Sequence, residues 1–458
     1  MATTRHIPSS LPAEWNPEDT AQWEGGAKRI AARNLWISIP CLLCAFAVWS
    51  YWSIITVQMK NLGFPFTSDQ LFTLTAVAGL TGATLRIPNS FLVALAGGRN
   101  VVAFTTALLL LPAAGAGIAL QDKNTPFDTF VLLAALSGIG GGNFASSMSS
   151  ISFFFPKRMQ GTALGLNAGL GNLGVSIMQV LLPAVMTVSV FGAMGGAGLP
   201  LPSGKMIWIQ NSGLIWIPIL IVLSVAAWAG MTNLPIFKIG STPAALGKVI
   251  ALLLTGFAGS AFGLWLLLGL GLNMWLALPA TVASTLILLK LFPGAVATSL
   301  SKQFAIFNAK HNWIMTWLYV MTFGSFISYS MAFPLLIRVV FGTLPDGSPN
   351  PNAPNPFTYA WLGPLVGSLV RPVGGWLSDK WSGAKVTQWS TAVMILAAVG
   401  AASIIRQASA SATPQDHFFP FLAMFLLLFT TAGIGNGSTF RMIPIIFKPE
   451  QAGPVLGL

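Results

Sequence analysis

Charged residues are scarce in this chain: they make up 7% of its 458 residues, against about 25% in a typical soluble domain. A chain with so few charges cannot cover a folded surface that faces water. The 2 cysteines exclude a disulfide scaffold, and a hydrophobic content of 54% excludes a disordered chain. Histidine is also rare, with 3 residues, and the sequence offers no metal cluster, nucleophile or buried acid–base pair that would indicate an enzyme.

The sequence contains many long apolar segments. A transmembrane helix needs about 20 consecutive apolar residues, and twelve segments meet this requirement. They are residues 35–57, 71–92, 100–120, 128–154, 163–187, 212–231, 247–269, 272–291, 313–341, 357–377, 387–405 and 418–447. The 47 glycines and 16 tryptophans fit the same class, because glycine is frequent in membrane helices and tryptophan marks interfaces. The sequence therefore predicts an all-α polytopic membrane protein.

The basic residues lie on alternate loops between these segments. Cytoplasmic loops of membrane proteins carry an excess of lysine and arginine. The basic loops contain Arg99, Lys157, Arg158, Lys238, Lys248, Lys302, Lys310, Lys380, Lys385 and Lys448. We therefore place the N-terminus in the cytoplasm, with residues 1–33 as a polar tail. The placement of basic residues in cytoplasmic loops then explains the net charge of +12, and no nucleic-acid partner is expected.

Segments of the first half return in the same order in the second half. The segment 82–86 matches 367–371, and each has a glycine four residues before a single arginine. The other matches are 138–142 with 433–437, Phe144 with Phe440, and 161–166 with 453–458. Repeats in the same order are typical of the parallel halves of a major-facilitator-type carrier.

The repeat also predicts the domain boundaries. Residues 34–238 would form an N-terminal six-helix bundle, and 311–458 a partial C-terminal bundle of four helices and the start of a fifth. Segments 247–269 and 272–291 have no counterpart, so 239–310 is predicted as an inter-half segment with two extra membrane helices. We accordingly expect the second half to be incomplete and the chain to be C-terminally truncated. The alternative, that all twelve segments are the standard set, breaks the register of the repeat.

Two arginines, Arg86 and Arg371, fall in the middle of predicted helices at equivalent positions of the repeat. A charge at the membrane centre costs at least about 2.5–3.5 kcal/mol and marks a functional site. The acidic residues, which could neutralise them, all lie in the tail, in loops or at helix ends. These are Glu14, Glu18, Asp19, Glu24, Asp69, Asp122, Asp128, Asp346, Asp379, Asp416 and Glu450. The counter-ion is therefore expected to be the substrate, which makes the substrate a small anion.

The same distribution of charge bears on the transport mechanism. Proton-coupled carriers usually use intramembrane Asp, Glu or His, and the three histidines here are peripheral as well. An empty site holds two like charges at low dielectric, and a bound anion relieves their repulsion. We therefore expect the loaded carrier to switch more readily than the empty one, which gives anion exchange. Proton symport through tyrosine or water stays open.

Glycines recur in the fifth predicted helix at a spacing that allows close helix packing. They are Gly161, Gly165, Gly169, Gly171 and Gly174, and we expect them at a packing or gating interface. The run 169–174 has the spacing of a dinucleotide-binding motif, but it follows no strand, so that interpretation is rejected. Asn172 either donates a hydrogen bond to the anion or joins two helices. Cys41 and Cys44 are expected to be small core residues.

Residues near the arginines supply further candidates. Asp379 and Lys380 end the helix of Arg371, where charged side chains can bridge helices and latch one conformational state. Phe144 and Phe440 are paired by the repeat. A planar anion could lie between their rings while the forked guanidinium groups hold its edges.

Several stretches of the chain carry a family resemblance. They are residues 33–38, the Arg86 segment, 143–148, 151–156, 164–174, 322–326, the Arg371 loop and 437–440. In these stretches, which span nearly the whole chain outside the inter-half segment, the sequence resembles the nitrate/nitrite porter family of the major facilitator superfamily. The resemblance implies two pseudo-symmetric six-helix halves in the inner membrane of a bacterium, and transport of nitrate and nitrite between cytoplasm and periplasm.

The resemblance implies residue roles as well. Arg86 and Arg371 would grip the anion, with Asn172 nearby. Aromatic residues would line the site: Phe46, Phe144, Tyr319, Phe323 and Phe440. The family's first glycine signature falls on 164–174, and its second would lie beyond Leu458. No cofactor or metal is implied, and we expect a monomer in the lipid bilayer.

Three functions are open on these grounds. The first is a nitrate/nitrite antiporter, and the second is a proton-coupled nitrate importer. The third belongs to a different class: a non-transporting receptor that senses an anion in the membrane. The lack of an intramembrane acid favours exchange over proton coupling. The short tail, without a soluble output domain, argues against the receptor.

Overall fold

A computed structural model describes residues 14–237 and 239–447, together with 451 and 455. Two of the predicted cytoplasmic lysines, Lys238 and Lys448, lie outside the described residues, as does segment 453–458 of the repeat except Val455. The helices are α1 Thr20–Leu62, α2 Ser68–Ala96, α3 Gly98–Ala119, α4 Phe127–Ser152, α5 Lys157–Val185, α6 Asn211–Gly230, α7 Thr242–Gly269, α8 Met274–Lys290, α9 Gly294–Gln303, α10 Lys310–Val340, α11 Leu362–Leu369, α12 Arg371–Trp381, α13 Gly383–Ala410 and α14 Phe418–Ile446.

Each of the twelve predicted segments coincides with helix, so the all-α polytopic architecture is confirmed. Within the described residues, ten helices are long and apolar enough to cross a membrane. Helix α8 is shorter, and α11 and α12 share one predicted span. The remaining elements are the antiparallel strands Leu199–Pro200 and Met206–Ile207, the one-turn helix Pro356–Tyr359, and the 3₁₀ turns Gly192–Gly195, Phe304–Asn308 and Pro414–His417.

The span predicted over 357–377 is interrupted for one residue, Val370, between α11 and α12. Pro372 has no N–H group and cannot bond back to the carbonyl of Ser368, so one hydrogen bond of the helical ladder is missing there. The Val370 backbone stays right-handed helical, and the Gly374 N–H bonds to the Val370 carbonyl, so Arg371 lies within the predicted span. Arg86 lies in the middle of a continuous helix, α2.

The polar tail predicted over 1–33 is helical from Thr20 onward. The side chain of Asp19 caps this helix by accepting hydrogen bonds from two backbone N–H groups of the first turn. Two tryptophans fix the segment to the bundle: Trp15 and Trp23 are buried, and the ring of Trp15 lies edge-on to Phe154 at 5.6 Å. The tail is thus a helical extension that packs against the turn after α4.

The helix directions define two ends of the bundle. We call the end at which Trp15 lies and α5 and α10 begin the tail end, and the other the opposite end. Near the opposite end, three side-chain hydrogen bonds join the first bundle to the second: Arg338 Nε to Asn61 Oδ1 at 2.9 Å, Gln179 Nε2 to the Ser330 carbonyl at 2.8 Å, and Ser176 Oγ to the Trp361 carbonyl at 3.0 Å. Within the part of the chain that the structure describes, no such bond joins the bundles at the tail end.

The two extra helices form a hairpin that packs along α2. A Cβ on Gly256 of α7 would lie 2.7 Å from Leu85 Cδ2 and 3.0 Å from Pro88 Cγ, so the helix backbones approach closely beside Arg86. Farther along the same side, Lys248 donates to the Leu95 carbonyl at 3.2 Å. The hairpin therefore covers the helix that carries one of the two central arginines.

This packing predicts that Gly256→Leu destabilises the protein by about 1–3 kcal/mol, because the larger side chain overpacks the close contact with Leu85 and Pro88 of α2. The midpoint of thermal unfolding in detergent measures the loss. Gly247→Leu on the same helix is the matched control, since nothing lies within 4 Å of its Cβ position. Equal unfolding midpoints for the two variants would contradict the packing of α7 on α2.

Candidate functional site

Arg86 projects from α2 into the interior and is 6% exposed. Its Nε donates to the Gly141 carbonyl at 3.3 Å, and Nη1 donates to the Tyr319 hydroxyl at 3.1 Å. Its Nη2 has no hydrogen-bond partner among the described residues. Since Tyr319 belongs to the second bundle, Arg86 links the two halves at the centre of the molecule.

Arg371 is 4% exposed and lies at the break between α11 and α12. All three nitrogen atoms of its guanidinium group lack a hydrogen-bond partner among the described residues. A buried guanidinium with five unused N–H donors is costly to desolvate. The described residues therefore leave this guanidinium with N–H donors for which they supply no acceptor.

The ring of Phe323 lies between the two arginines. The distance from its centroid is 4.2 Å to Cζ of Arg86 and 5.5 Å to Cζ of Arg371. Cation–π attraction of this kind stabilises a desolvated cation by about 2 kcal/mol. Phe323 lies in one turn of π-helix, Val320–Gly324, within α10. Single π-helical turns inside α-helices often occur at functional sites.

The predicted aromatic residues surround this ring. Phe323 stacks on Tyr319 at 5.1 Å and on Phe144 at 5.4 Å, and Phe46 lies 6.0 Å away. Phe440 contacts Tyr319 at 5.5 Å. The structure thus brings Arg86, Arg371 and the five aromatic residues of the predicted site into one cluster.

Phe144 and Phe440 do not leave a gap for an anion in this conformation. Their centroids are 6.1 Å apart and their planes are tilted by 39°, which is the range of two rings in direct contact. An anion between them would have to separate the rings. The N–H groups of Arg371, in contrast, have no hydrogen-bond partner among the described residues.

The two glycine-rich runs of the repeat explain how the arginine helices reach this position. In the first half, a Cβ on Gly142 would lie 3.0 Å from Leu85 Cβ; in the second, a Cβ on Gly437 would meet the Arg371 carbonyl and lie 3.1 Å from Gly375 N. Larger residues in either run would push the arginine helix away. The repeat therefore preserves close contact between each arginine helix and the glycine-bearing helix of its own half.

Among the described residues, no acidic side chain forms an ion pair with Arg86 or Arg371. The ion pairs within the described residues are Lys28 with Glu24, and Arg441 with Asp379. His, Cys, Asp and Glu form no group of three or more that could hold a metal in the described part of the chain. Cys41 and Cys44 are free and buried, as expected for core residues.

The cluster is closed on most sides. Tyr319 is 8% exposed, and Phe46 and Phe144 are fully buried. A narrow cavity begins at Tyr319 and Phe440 and extends toward the tail end; its other lining residues are Met315, Thr316, Thr439, Ile443 and Val455. With the opposite end tied by hydrogen bonds, the conformation is occluded, with its residual opening toward the tail end.

Asn172 is fully buried in α5. Its side-chain N–H donates to the Ala168 carbonyl at 2.7 Å within the same helix, and its Oδ1 has no partner among the described residues. These contacts do not join Asn172 to either arginine. Its predicted contact with the anion and its alternative role between helices both stay predictions.

The predicted packing glycines of α5 fall into two groups. Gly171 and Gly174 press against α1, where their Cβ positions would meet Leu42 Cγ at 2.7 Å and the Leu43 carbonyl. Gly165 and Gly169 have open space at their Cβ positions, so close packing is not seen there in this conformation. Gly161 lies in the first turns of α5.

The predicted latch residues end α12 at the tail end. Asp379 accepts a hydrogen bond from Arg441 Nε at 2.5 Å, which bridges α12 to α14 within the second bundle. Lys380 does not join this pair: its Nζ lies 4.0 Å above the ring of Trp376. Both members of the pair are about half exposed, so the bridge contributes about 0.2–1 kcal/mol.

Sequence reasoning missed three contact residues. Phe326 lies 4.8 Å from Arg371 Cζ, and Trp49 lies 6.0 Å from Arg86 Cζ. Phe326 follows Phe323 by three residues, a helical spacing that would have indicated a shared face. Arg441 follows Phe440, but its partnership with Asp379 connects distant helices and has no local signal.

The bridge predicts that Asp379→Asn and Arg441→Gln each lower the occupancy of the tail-end-open state by about two- to fivefold, the effect of an exposed pair. The alkylation rate of a cysteine introduced by Thr316→Cys at the cavity, in a background without Cys41 and Cys44, reports this occupancy. Glu24→Gln, which removes the exposed pair with Lys28, is the matched control and should change nothing. A change in anion affinity without a change in alkylation would contradict the latch.

Comparison with proteins of known sequence gives extensive matches, although no family model matches the chain. The chain is 39% identical over 435 residues to the nitrate/nitrite transporter NarU of Escherichia coli, covering 95% of this chain and 78% of the relative. It is also 39% identical over 448 residues to the probable nitrate/nitrite antiporter NarK2 of Thermus thermophilus, covering 97% of this chain and 84% of the relative.

Solved structures show the same fold at low identity. The xylose transporter XylE from Escherichia coli, in a partially occluded inward-open conformation, superposes with a TM-score of 0.56 and 11% identity, over 93% of this chain and 88% of that structure. A bacterial homologue of the human lysosomal transporter Spinster gives a TM-score of 0.51 and 14% identity, over 94% and 78% respectively. The fold is that of the major facilitator superfamily, and the chain belongs to its nitrate/nitrite porter family.

Proposed function

We propose that this protein is a secondary active transporter that moves nitrate and nitrite across a membrane by exchanging one for the other through alternating access. The observation that carries the proposal is the pair of buried arginines, Arg86 and Arg371, which contact one ring and have unused N–H groups. The names of the relatives supply the identity of the anions.

Nitrate and nitrite suit this cluster chemically. Both are planar monovalent anions, and a guanidinium fork donates two parallel N–H groups to two oxygens of a planar acceptor. The aromatic faces around Phe323 present apolar surface to the plane of the anion. They also exclude water, so each charge-assisted hydrogen bond is stronger than it would be in solution.

Exchange follows from the charge balance of the site. Two arginines that pair with no carboxylate of the described residues repel each other at low dielectric, and the bound anion reduces that repulsion. Closing the site around two bare charges is unfavourable, whereas closing it around a loaded site is less so. The empty carrier should therefore return slowly, and net transport should require an anion on the other side.

Proton-coupled import of nitrate is the second candidate, and one contact favours it. The Tyr319 hydroxyl accepts a hydrogen bond from Arg86, which places a titratable group directly beside the proposed site. A proton could reach the site through this hydroxyl and water without an intramembrane acid. The identity of the relatives favours transport over anion sensing.

Orientation and organisation are part of the proposal. The lysines and arginines gathered at the tail end support a cytoplasmic tail end by the positive-inside rule, in the inner membrane of a bacterium. The first bundle would comprise 34–238, the inter-half segment 239–310, and the second bundle 311–458. We further propose that the protein works as a monomer.

The test is uptake of labelled nitrate into liposomes that contain the purified protein. Internal nitrite alone, an inward acid gradient alone, and neither condition are compared, with protein-free liposomes as the control. We expect uptake with internal nitrite and little without it. Uptake driven by the acid gradient alone would replace exchange with proton symport, and no uptake in any condition would contradict nitrate and nitrite as substrates.

The arginine site predicts that Arg371→Lys weakens nitrate binding by at least about tenfold, because lysine keeps the charge but loses the planar fork. Isothermal titration of the purified variant with nitrate measures the affinity. Arg406→Lys, on the exposed surface of α13, is the matched control and should bind as the wild type does. An unchanged nitrate affinity in Arg371→Lys would contradict the assignment of Arg371 to the binding site.

A further inference from the structure

Asn436 is a fully buried asparagine in α14 whose side chain has no assigned role. Neither its Nδ2 nor its Oδ1 has a hydrogen-bond partner among the described residues. An unpaired amide in a membrane interior is costly, since both its donors and its acceptor are removed from water. A residue of this kind at the centre of a transporter needs a ligand to explain it.

The position of Asn436 directs it to the arginine cluster. Phe440 follows it by four residues on the same helical face, and Phe440 contacts both Phe144 and Tyr319. The Asn436 side chain faces the Tyr319 hydroxyl without completing a hydrogen bond among the described residues. On either side of it along the helix, Gly435 and Gly437 would place a Cβ against Thr322 and against the backbone of Arg371.

The repeat gives a second, independent argument. When segment 433–437 is aligned with 138–142, Asn436 falls at the position of Gly141, and the second half has one additional residue before Phe440. There, the Gly141 carbonyl accepts from Arg86 Nε, whereas Arg371 has no partner among the described residues on any nitrogen. The second half thus presents an amide donor and an unsatisfied guanidinium where the first half presents an arginine already bonded to backbone.

We propose that Asn436 is a substrate-binding residue that distinguishes nitrate from nitrite. Nitrate has three oxygens and nitrite has two. The forks of Arg86 and Arg371 take oxygens that both anions possess, and the Asn436 N–H group donates to the oxygen that nitrite lacks. The Asn436 carbonyl accepts from the Tyr319 hydroxyl or from Arg371. This inference rests on the proposed transport of the two anions.

A site built to bond a polar atom rejects the analogue that lacks it, because the donor is then left unpaired. Asn436→Leu, of similar volume, should therefore raise the Kd for nitrate by about tenfold or more and leave that for nitrite within about threefold. The ratio of the two affinities is the decisive quantity. A residue that merely positioned Arg371 would change both affinities by the same factor.

The experiment measures the Kd of nitrate and of nitrite by titration of the purified full chain. Asn312→Leu is the matched control, because Asn312 is also fully buried with no partner for either side-chain atom among the described residues and lies near the tail end of α10. We expect it to leave the nitrate-to-nitrite ratio unchanged. An equal change of ratio in both variants would overturn the assignment of selectivity to Asn436.

Asn436→Asp keeps the size of the side chain and tests the same assignment if the leucine variant does not fold. The carboxylate would pair with Arg371 and compete with the substrate, so binding of both anions should fall by at least about tenfold. Wild-type affinity for nitrate in this variant would overturn the proposal. Failure of the wild type to bind either anion would instead contradict the proposed function, so the two failures are distinguishable.

Discussion

The structure depends on two buried guanidinium groups that face one phenyl ring and pair with no carboxylate of the described residues. Burial of an unpaired charge is costly, and the cation–π contacts of Phe323 with Arg86 and Arg371 offset part of this cost. A single anion between the guanidinium groups would offset most of the rest. Binding of a small anion is therefore favourable, whereas closure of the site without an anion is unfavourable.

The helices around the site are arranged so that these two charges can approach each other. Glycines at 142 and 437 bring each arginine helix against the glycine-bearing helix of its own half, and Gly256 brings the extra hairpin against the outside of α2. Hydrogen bonds join the halves at the opposite end, and a cavity opens toward the tail end. Rocking of the two halves about the arginines would open the opposite end and close the tail end.

Most of the fold and the centre of the site follow from the sequence, because apolar runs predict the membrane helices and the repeat relates the two arginine positions. Arg86, Arg371 and the five aromatic residues that the sequence singles out lie in one cluster. The one-residue interruption at Val370 was missed because Pro372 removes a single hydrogen bond from the helical ladder. The helical tail was missed because its tryptophans are buried against phenylalanines far away in the sequence. Arg441 and Phe326 required knowledge of which helices meet, and that depends on tertiary packing.

The rate of switching with and without anion tests the central claim most directly. Single-molecule fluorescence transfer between dyes at Ser189→Cys and Asn352→Cys, both exposed at the opposite end of different bundles, would follow the opening of that end in a background without Cys41 and Cys44. The account predicts that nitrate or nitrite accelerates the interconversion of the two states, and that the empty carrier switches slowly. An empty carrier that interconverts as fast as the loaded one would contradict it.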